Sequence, residues 1–310
     1  MQTRKAIDTS AVSIMTVLCM IWAFQQIAIK AAAPDIAPIL QIAMRSGIAI
    51  VLVGLLMLWQ RVPVSFSDGG WRPGLLVGFL FALEFLLMGE GLRYTTASHM
   101  TVFLYTAPFF AAIGLHWRLP EERLAPAQWF GILVAFIGVA VAFFGPDGSG
   151  NPRQAADMLW GDFLGLLAGA GWGATTVVIR CSKLSNTPAT ITLMYQLVGA
   201  FVLLLAASFA LGQASVNPTP VAIGSVLFQG VVVSFVTFLT WFWLLRKYLA
   251  SRLGVFSFMT PMFAIVFGVW LLDEPLDTSF LVGAVLVAVG IVLVSGYGWF
   301  VQLKARRQLR

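Results

Sequence analysis

Ten stretches of predominantly apolar residues follow one another along the chain, and each is long enough to cross a hydrocarbon core of ~30 Å as a helix. They are read at about 11–31, 38–59, 73–91, 96–116, 127–144, 159–181, 189–211, 221–245, 250–272 and 278–301, and are called spans 1 to 10. The runs are continuous rather than alternating and exceed the ~10 residues of a membrane strand, which excludes a β-barrel. The fold class is therefore an all-α polytopic membrane protein. Charged residues make up only 10% of the chain, against roughly 25% in an average soluble domain. An A-x-A site near residues 30–35 invites a signal-peptide reading of span 1. Its apolar region of ~19 residues is longer than the 7–15 of a signal, so it is read as an uncleaved span.

A second feature fixes how the spans are organised. FMTPMFAIVFGVWLLDEPL, at 258–276, repeats the skeleton of YTAPFFAAIGLHWRLPEER, at 105–123. Pro108, Trp117 and Glu121 each stand 153 positions before Pro261, Trp270 and Glu274. The same offset pairs Arg93 with Arg246, Ala97 with Ala250 and Ser98 with Ser251, while Trp22 and Lys30 match Trp172 and Arg180 at an offset of 150. The chain is thus a duplication of five spans. Five is odd, so the second copy enters the membrane from the opposite side, and inverted repeats of this kind are a recurring architecture of secondary transporters. The expected domains are 1–145 and 159–310, joined by a periplasmic linker at 146–158 whose Gly, Pro, Asp and Asn give it little reason to be helical.

The net charge of +6 is distributed as a topology signal. With both termini in the cytoplasm, 15 of the 19 Lys and Arg fall inside, Lys30, Arg93 and Arg153 fall outside, and Arg45 lies within a span. This is the positive-inside pattern of a multi-pass protein of the bacterial inner membrane. The basic tail is a topology anchor or a contact to anionic lipid rather than a nucleic-acid site. Cys19 and Cys181 lie in apolar spans at unrelated repeat positions and are read as small buried side chains. GAGWG at 169–173 lies inside span 6 and is read as close helix packing.

Ten spans in a 5+5 inverted duplication, W-x7-[KR] in the first span of each half, and a proline span followed by L-P-E-E-R (119–123) or L-D-E-P-L (272–276) resemble the drug/metabolite transporter superfamily. Within it the chain is similar to the bacterial YddG-type exporters of aromatic amino acids. The resemblance implies alternating access through a central cavity lined mainly by spans 1, 3, 4, 6, 8 and 9 and flanked by spans 5 and 10.

Candidate cavity residues follow from polarity at membrane depth. Glu84 in span 3 and Arg45 in span 2 lie at matching depth, either as a structural ion pair or with Glu84 free to receive a substrate ammonium or a proton. In span 8, Gly230, Ser234, Thr237, Trp241 and Leu244 follow steps of three and four and share a face. That face is either a ligand wall or a packing stripe of small residues. Trp22 with Gln26, and Trp172 with Thr175 and Thr176, occupy equivalent sites in spans 1 and 6 and are read as aromatic lining or core filling. His99, near the outer end of span 4, is read as solvated or capping if it is not in the cavity. Tyr105 is a candidate to satisfy backbone opened by a kink at Pro108. Pro108 and Pro261 are candidate hinges, and Glu121, Glu122, Asp273 and Glu274 candidate turn or cap residues.

The reading that results is a secondary transporter, with no Walker loop in the sequence, that exports small metabolites, foremost amino acids with apolar or aromatic side chains. An exporter of cationic drugs or nucleoside-like compounds is the alternative. A membrane-embedded enzyme is the remote one, because it needs a converging nucleophile and base or metal ligands. No cofactor and no metal are expected. The expected partners are the lipid bilayer and the small-molecule substrate, without nucleic acid, and the chain is taken as monomeric.

Overall fold

Proline sets the start of one helix after another, because its missing N–H is among those a first turn leaves unbonded anyway. The computed structural model describes residues 8–62, 69–120, 123–144, 152–248, 256–257 and 259–308. Its helices are α1 (Thr9–Ala32), α2 (Pro38–Trp59), α3 (Trp71–Gly91), α4 (Ala97–Leu104), α5 (Ala107–Arg118), α6 (Pro126–Phe144), α7 (Pro152–Arg180), α8 (Ala189–Ala210), α9 (Pro220–Leu227), α10 (Phe238–Lys247), α11 (Met259–Leu272) and α12 (Thr278–Gln308). Side chains complete several starts: Asp8 caps α1 through the Ala11 amide at 2.9 Å, and Thr96 caps α4 through the His99 amide at 3.1 Å.

Among the described residues, seven helical stretches are long and apolar enough to span a membrane, and three shorter apolar helices bring the total to ten. Span 4 is α4 plus α5, span 8 is α9 to α10, and the rest are single helices. Two boundaries differ from expectation. The helix of span 6 begins at Pro152, so only 146–151 of the expected linker could be non-helical, and those residues lie outside the described ones. Span 8 is not uniformly α-helical, because Phe228–Thr237 is wound as a π-helix between α9 and α10. Glu121 and Glu122 also lie outside the described residues.

The helices pack in matched pairs, as a duplication requires. Span 1 lies against span 9 and span 6 against span 4; span 2 lies against span 8 and span 7 against span 3; spans 5 and 10 lie against each other. Trp117 and Trp270, repeat mates, are 77% and 74% exposed, as belt residues at the lipid interface would be. Glycine permits the closest of these approaches. A Cβ at Gly138 in α6 would stand 2.7 Å from the Gly283 carbonyl oxygen of α12. In α7, Gly161, Gly165, Gly169 and Gly173 recur every fourth residue, forming a groove that receives Thr95, just before span 4, and Met100, Phe103, Thr106 and Phe110 within it.

Span 4 breaks where Pro108 dictates. α4 ends at Leu104, α5 opens with Pro108 in its first turn, and the Thr106 hydroxyl donates to the Phe103 carbonyl at 2.6 Å. The carbonyl that the missing Pro108 amide leaves open is that of Leu104, one residue beyond the Thr106 acceptor. Pro261 lies in α11, three residues beyond Phe258, which is outside the described residues; Phe256 and Ser257 before it are helical as well. Cys19 is buried, whereas Cys181 lies one residue past α7 and is exposed.

Candidate functional site

Two buried charges of opposite sign lie between the halves. Arg45 on α2 is 1% exposed and Glu84 on α3 is 4% exposed. They are near enough for each charge to act on the other. Yet no ion pair joins them, and Arg45 Nε and Nη1 and Glu84 Oε2 have no hydrogen-bond partner. The Arg45 guanidinium instead lies 4.4 Å from the centroid of the Phe85 ring. A cation–π contact compensates only part of the cost of burying a guanidinium. Glu84 is backed by Gly171 of α7, where a Cβ would stand in ordinary contact, 3.6 Å from the Glu84 Cα and Cβ.

Aromatic side chains from both halves also meet in the interior, in two groups. Trp22 of α1 donates its indole N–H to the Thr237 hydroxyl at 2.9 Å, and its ring meets Trp241 edge-on at 5.8 Å. Tyr105 meets Trp172 edge-on at 5.3 Å. Its hydroxyl faces Thr260 of α11 and lies within electrostatic reach of Cys19 and Glu84. Gln26, one turn beyond Trp22, donates to the Met88 sulfur at 3.4 Å and leaves its Oε1 without a partner. Ser234, Gln229 and Thr260 add further buried polar atoms without partners. Such atoms are rare and costly when nothing meets them.

The span 8 stripe divides. Ser234 and Thr237 are buried on the interior face, but Gly230 is a packing residue, since a Cβ there would stand 2.9 Å from Ile48 Cβ. The π-winding at Phe228–Thr237 is of the kind that recurs at functional sites. Thr175 and Thr176 bond back to the carbonyls of Gly171 and Trp172, so their hydroxyl protons are already used.

His99 is neither solvated nor with the central aromatics. It is 5% exposed, its Nδ1 lies 2.8 Å from Asp162 Oδ2, and its ring stacks on Phe280 at 3.8 Å. Asp162 also accepts from the Thr95 hydroxyl at 2.5 Å. The sequence reading passed over Asp162; its signal was an acid inside an apolar helix.

That pair belongs to a polar seam across one end of the bundle. Asp35 accepts from Asn217 Nδ2 at 2.7 Å and Thr219 Oγ1 at 2.6 Å, and Gln213 Nε2 donates to Glu90 at 2.5 Å. Lys30 donates to the carbonyls of Leu92 and Thr95. Glu274 accepts from the Ala97 amide at 2.6 Å and from the Ser98 amide and hydroxyl. It is a cap, but of a helix in the other half. Among the described residues, no group of three His, Cys, Asp or Glu could hold a metal ion.

A five-plus-five bundle with a polar and aromatic interior between its halves defines a membrane transporter built of two repeats. The EamA-like transporter family matches residues 9–144 and 159–296, and the chain belongs to that family. It is 26% identical to an uncharacterized transporter, YoaV, of Bacillus subtilis, covering 88% of this chain and 92% of that one. An uncharacterized transporter of Archaeoglobus fulgidus is 23% identical over 91% of this chain and 96% of its own. A WAT1-related chloroplastic protein of Arabidopsis thaliana is 25% identical over 88% of this chain and 66% of its own. A solved crystal structure superposes with a TM-score of 0.64 at 20% identity, covering 92% of this chain and 98% of that one, a likeness of fold.

Proposed function

We propose that this transporter exports amino acids with apolar or aromatic side chains, by alternating access and without ATP. The observation that carries the reading is a buried carboxylate and guanidinium that are not paired with each other, in a bundle whose interior also holds two aromatic pairs, Tyr105 with Trp172 and Trp22 with Trp241, each drawn from both halves. Aromatic edges and faces suit a flat apolar side chain, and the buried charges suit a polar ligand head. Pro108, at the break between α4 and α5, and its repeat mate Pro261 are taken as the hinges, and both termini are taken as cytoplasmic.

The test is counterflow of radiolabelled tryptophan, phenylalanine and leucine into proteoliposomes holding the purified chain, with and without a pH gradient. Saturable exchange that unlabelled aromatic amino acids compete away is the expected result. Exchange of a cationic dye or a nucleoside, with none of the amino acids, would replace this reading by the cationic-compound exporter that Glu84 would equally serve.

A further inference from the structure

We infer that Arg45 and Glu84 divide one zwitterionic ligand between them, Arg45 taking its carboxylate and Glu84 its ammonium, so that the site demands both groups on one substrate. The inference rests on the amino-acid reading above and adds to it a role for Arg45 on α2. Three observations carry it. Both side chains are more than nine-tenths buried, each retains unpartnered atoms, and no ion pair joins them although each charge acts on the other. A simple strut would close that gap, because a buried pair repays its desolvation only with good contact geometry.

The unpartnered atoms are also sorted by chemistry. Arg45 offers two donors, Nε and Nη1, whereas Glu84 Oε2 and Gln26 Oε1 are acceptors. Met88, the partner of Gln26 Nε2, stands one helical turn from Glu84 on α3, so the Gln26 amide is held along the face that carries Glu84. An ammonium brings three donors and a carboxylate two acceptor oxygens, the complement of this set. Phe85 lies against the Arg45 guanidinium, and Gly171, the chain neighbour of Trp172, lies against Glu84, which places aromatic surface near both ends. The lone pairs and protons that cost stability in the protein alone are satisfied when such a ligand binds.

The experiment compares three probes of one shape in proteoliposomes of the full chain: tryptophan, tryptamine without the carboxylate, and indole-3-propionate without the ammonium. Wild type is expected to carry tryptophan at least about tenfold better than either analogue, the scale of one lost charge-assisted hydrogen bond. Arg45→Gln is expected to lose tryptophan but not tryptamine, and Glu84→Gln to lose tryptophan but not indole-3-propionate. Arg45→Lys, which keeps the charge, is expected to retain tryptophan in part and guards against a variant that does not fold. Equal loss of tryptophan and tryptamine in monodisperse Arg45→Gln protein overturns the inference alone. A wild type that carries tryptamine as well as tryptophan does the same. A wild type that carries no tryptophan, phenylalanine or leucine overturns the amino-acid reading on which the inference stands.

Discussion

Glu274 accepts the Ser98 hydroxyl at 2.5 Å and the Ser98 amide at 3.1 Å, joining residues 176 positions apart across the two halves. The turn that delivers it is written in L-D-E-P-L. Asp273 takes a left-handed φ of 51°, Glu274 follows with its amide on the Gly268 carbonyl at 3.1 Å, and Pro275 cannot continue the helix. Gly268 has no side chain because a Cβ there would collide with the Glu274 carboxylate and the Ser98 hydroxyl.

This contact is a latch on the end of the bundle where the polar seam lies. Glu274→Gln puts a donor against amides that need acceptors, and Gly268→Ala pushes the carboxylate away. Both are expected to loosen that end. In a background lacking Cys19 and Cys181, a cysteine at Gln26 should react several-fold faster with an impermeant maleimide applied from the seam side. An unchanged rate in both variants would show that the latch does not hold the end shut.

The orientation of the seam follows from the basic residues. Ser215, exposed between α8 and α9, is expected outside the cell, and Ser185, after α7, inside. Single cysteines at these positions should label from opposite faces of the membrane. Labelling of both from one side would break the five-plus-five inversion.

Much of this organisation was legible in the chain because duplication and hydrophobic length are sequence-level properties. Pro108 with its break in span 4, the Gly138–Gly283 approach and the interior position of Trp22 and Thr237 all lie where the repeat and the three-four spacing put them. What was not legible depends on contacts between distant segments. Nothing local in span 4 announces that His99 will meet Asp162, or that the amides of Ala97 and Ser98 will find their acceptor beyond span 9. The π-winding of Phe228–Thr237 was missed for a related reason, since its sequence has the same three-four spacing as an α-helix.

The Trp22–Thr237 hydrogen bond couples α1 to the π-wound segment. Thr237→Val keeps the shape and strands the indole N–H, which should cost about 1–3 kcal/mol. Trp22→Phe with Thr237→Val removes both partners, and a double-mutant cycle should recover much of that cost. Additive losses in thermal stability would show that the two groups do not interact. Trp241→Ala, which removes only an edge contact with Trp22, should lower transport while the protein stays monodisperse.

The seam makes a separate demand on Asp162. Its two oxygens accept from the Thr95 hydroxyl and meet His99 Nδ1, all three side chains being buried. Asp162→Asn presents an amide to one of those partners and should destabilise the protein by about 1–3 kcal/mol. Thr95→Val with Asp162→Asn should be less than additive. A melting temperature equal to wild type would remove the triad from the account of how the halves are held together.

Arg45 and Glu84 provide the test that separates stability from function. A strut and a ligand site predict opposite results for transport when both charges are removed together by Arg45→Met with Glu84→Gln. Each single change leaves one buried charge uncompensated and should destabilise by about 3–5 kcal/mol. The double change removes both desolvation penalties and the unpartnered atoms with them. Thermal stability of the double variant is therefore expected to equal or exceed wild type, by about 1–4 kcal/mol at most, with transport abolished. Polar atoms kept at a cost to the fold are the pattern of a site selected for what it binds. Fluorescence-detected size-exclusion after heating, run beside proteoliposome counterflow, reads both quantities on one preparation. A double variant that keeps wild-type transport would show the two charges to be a strut.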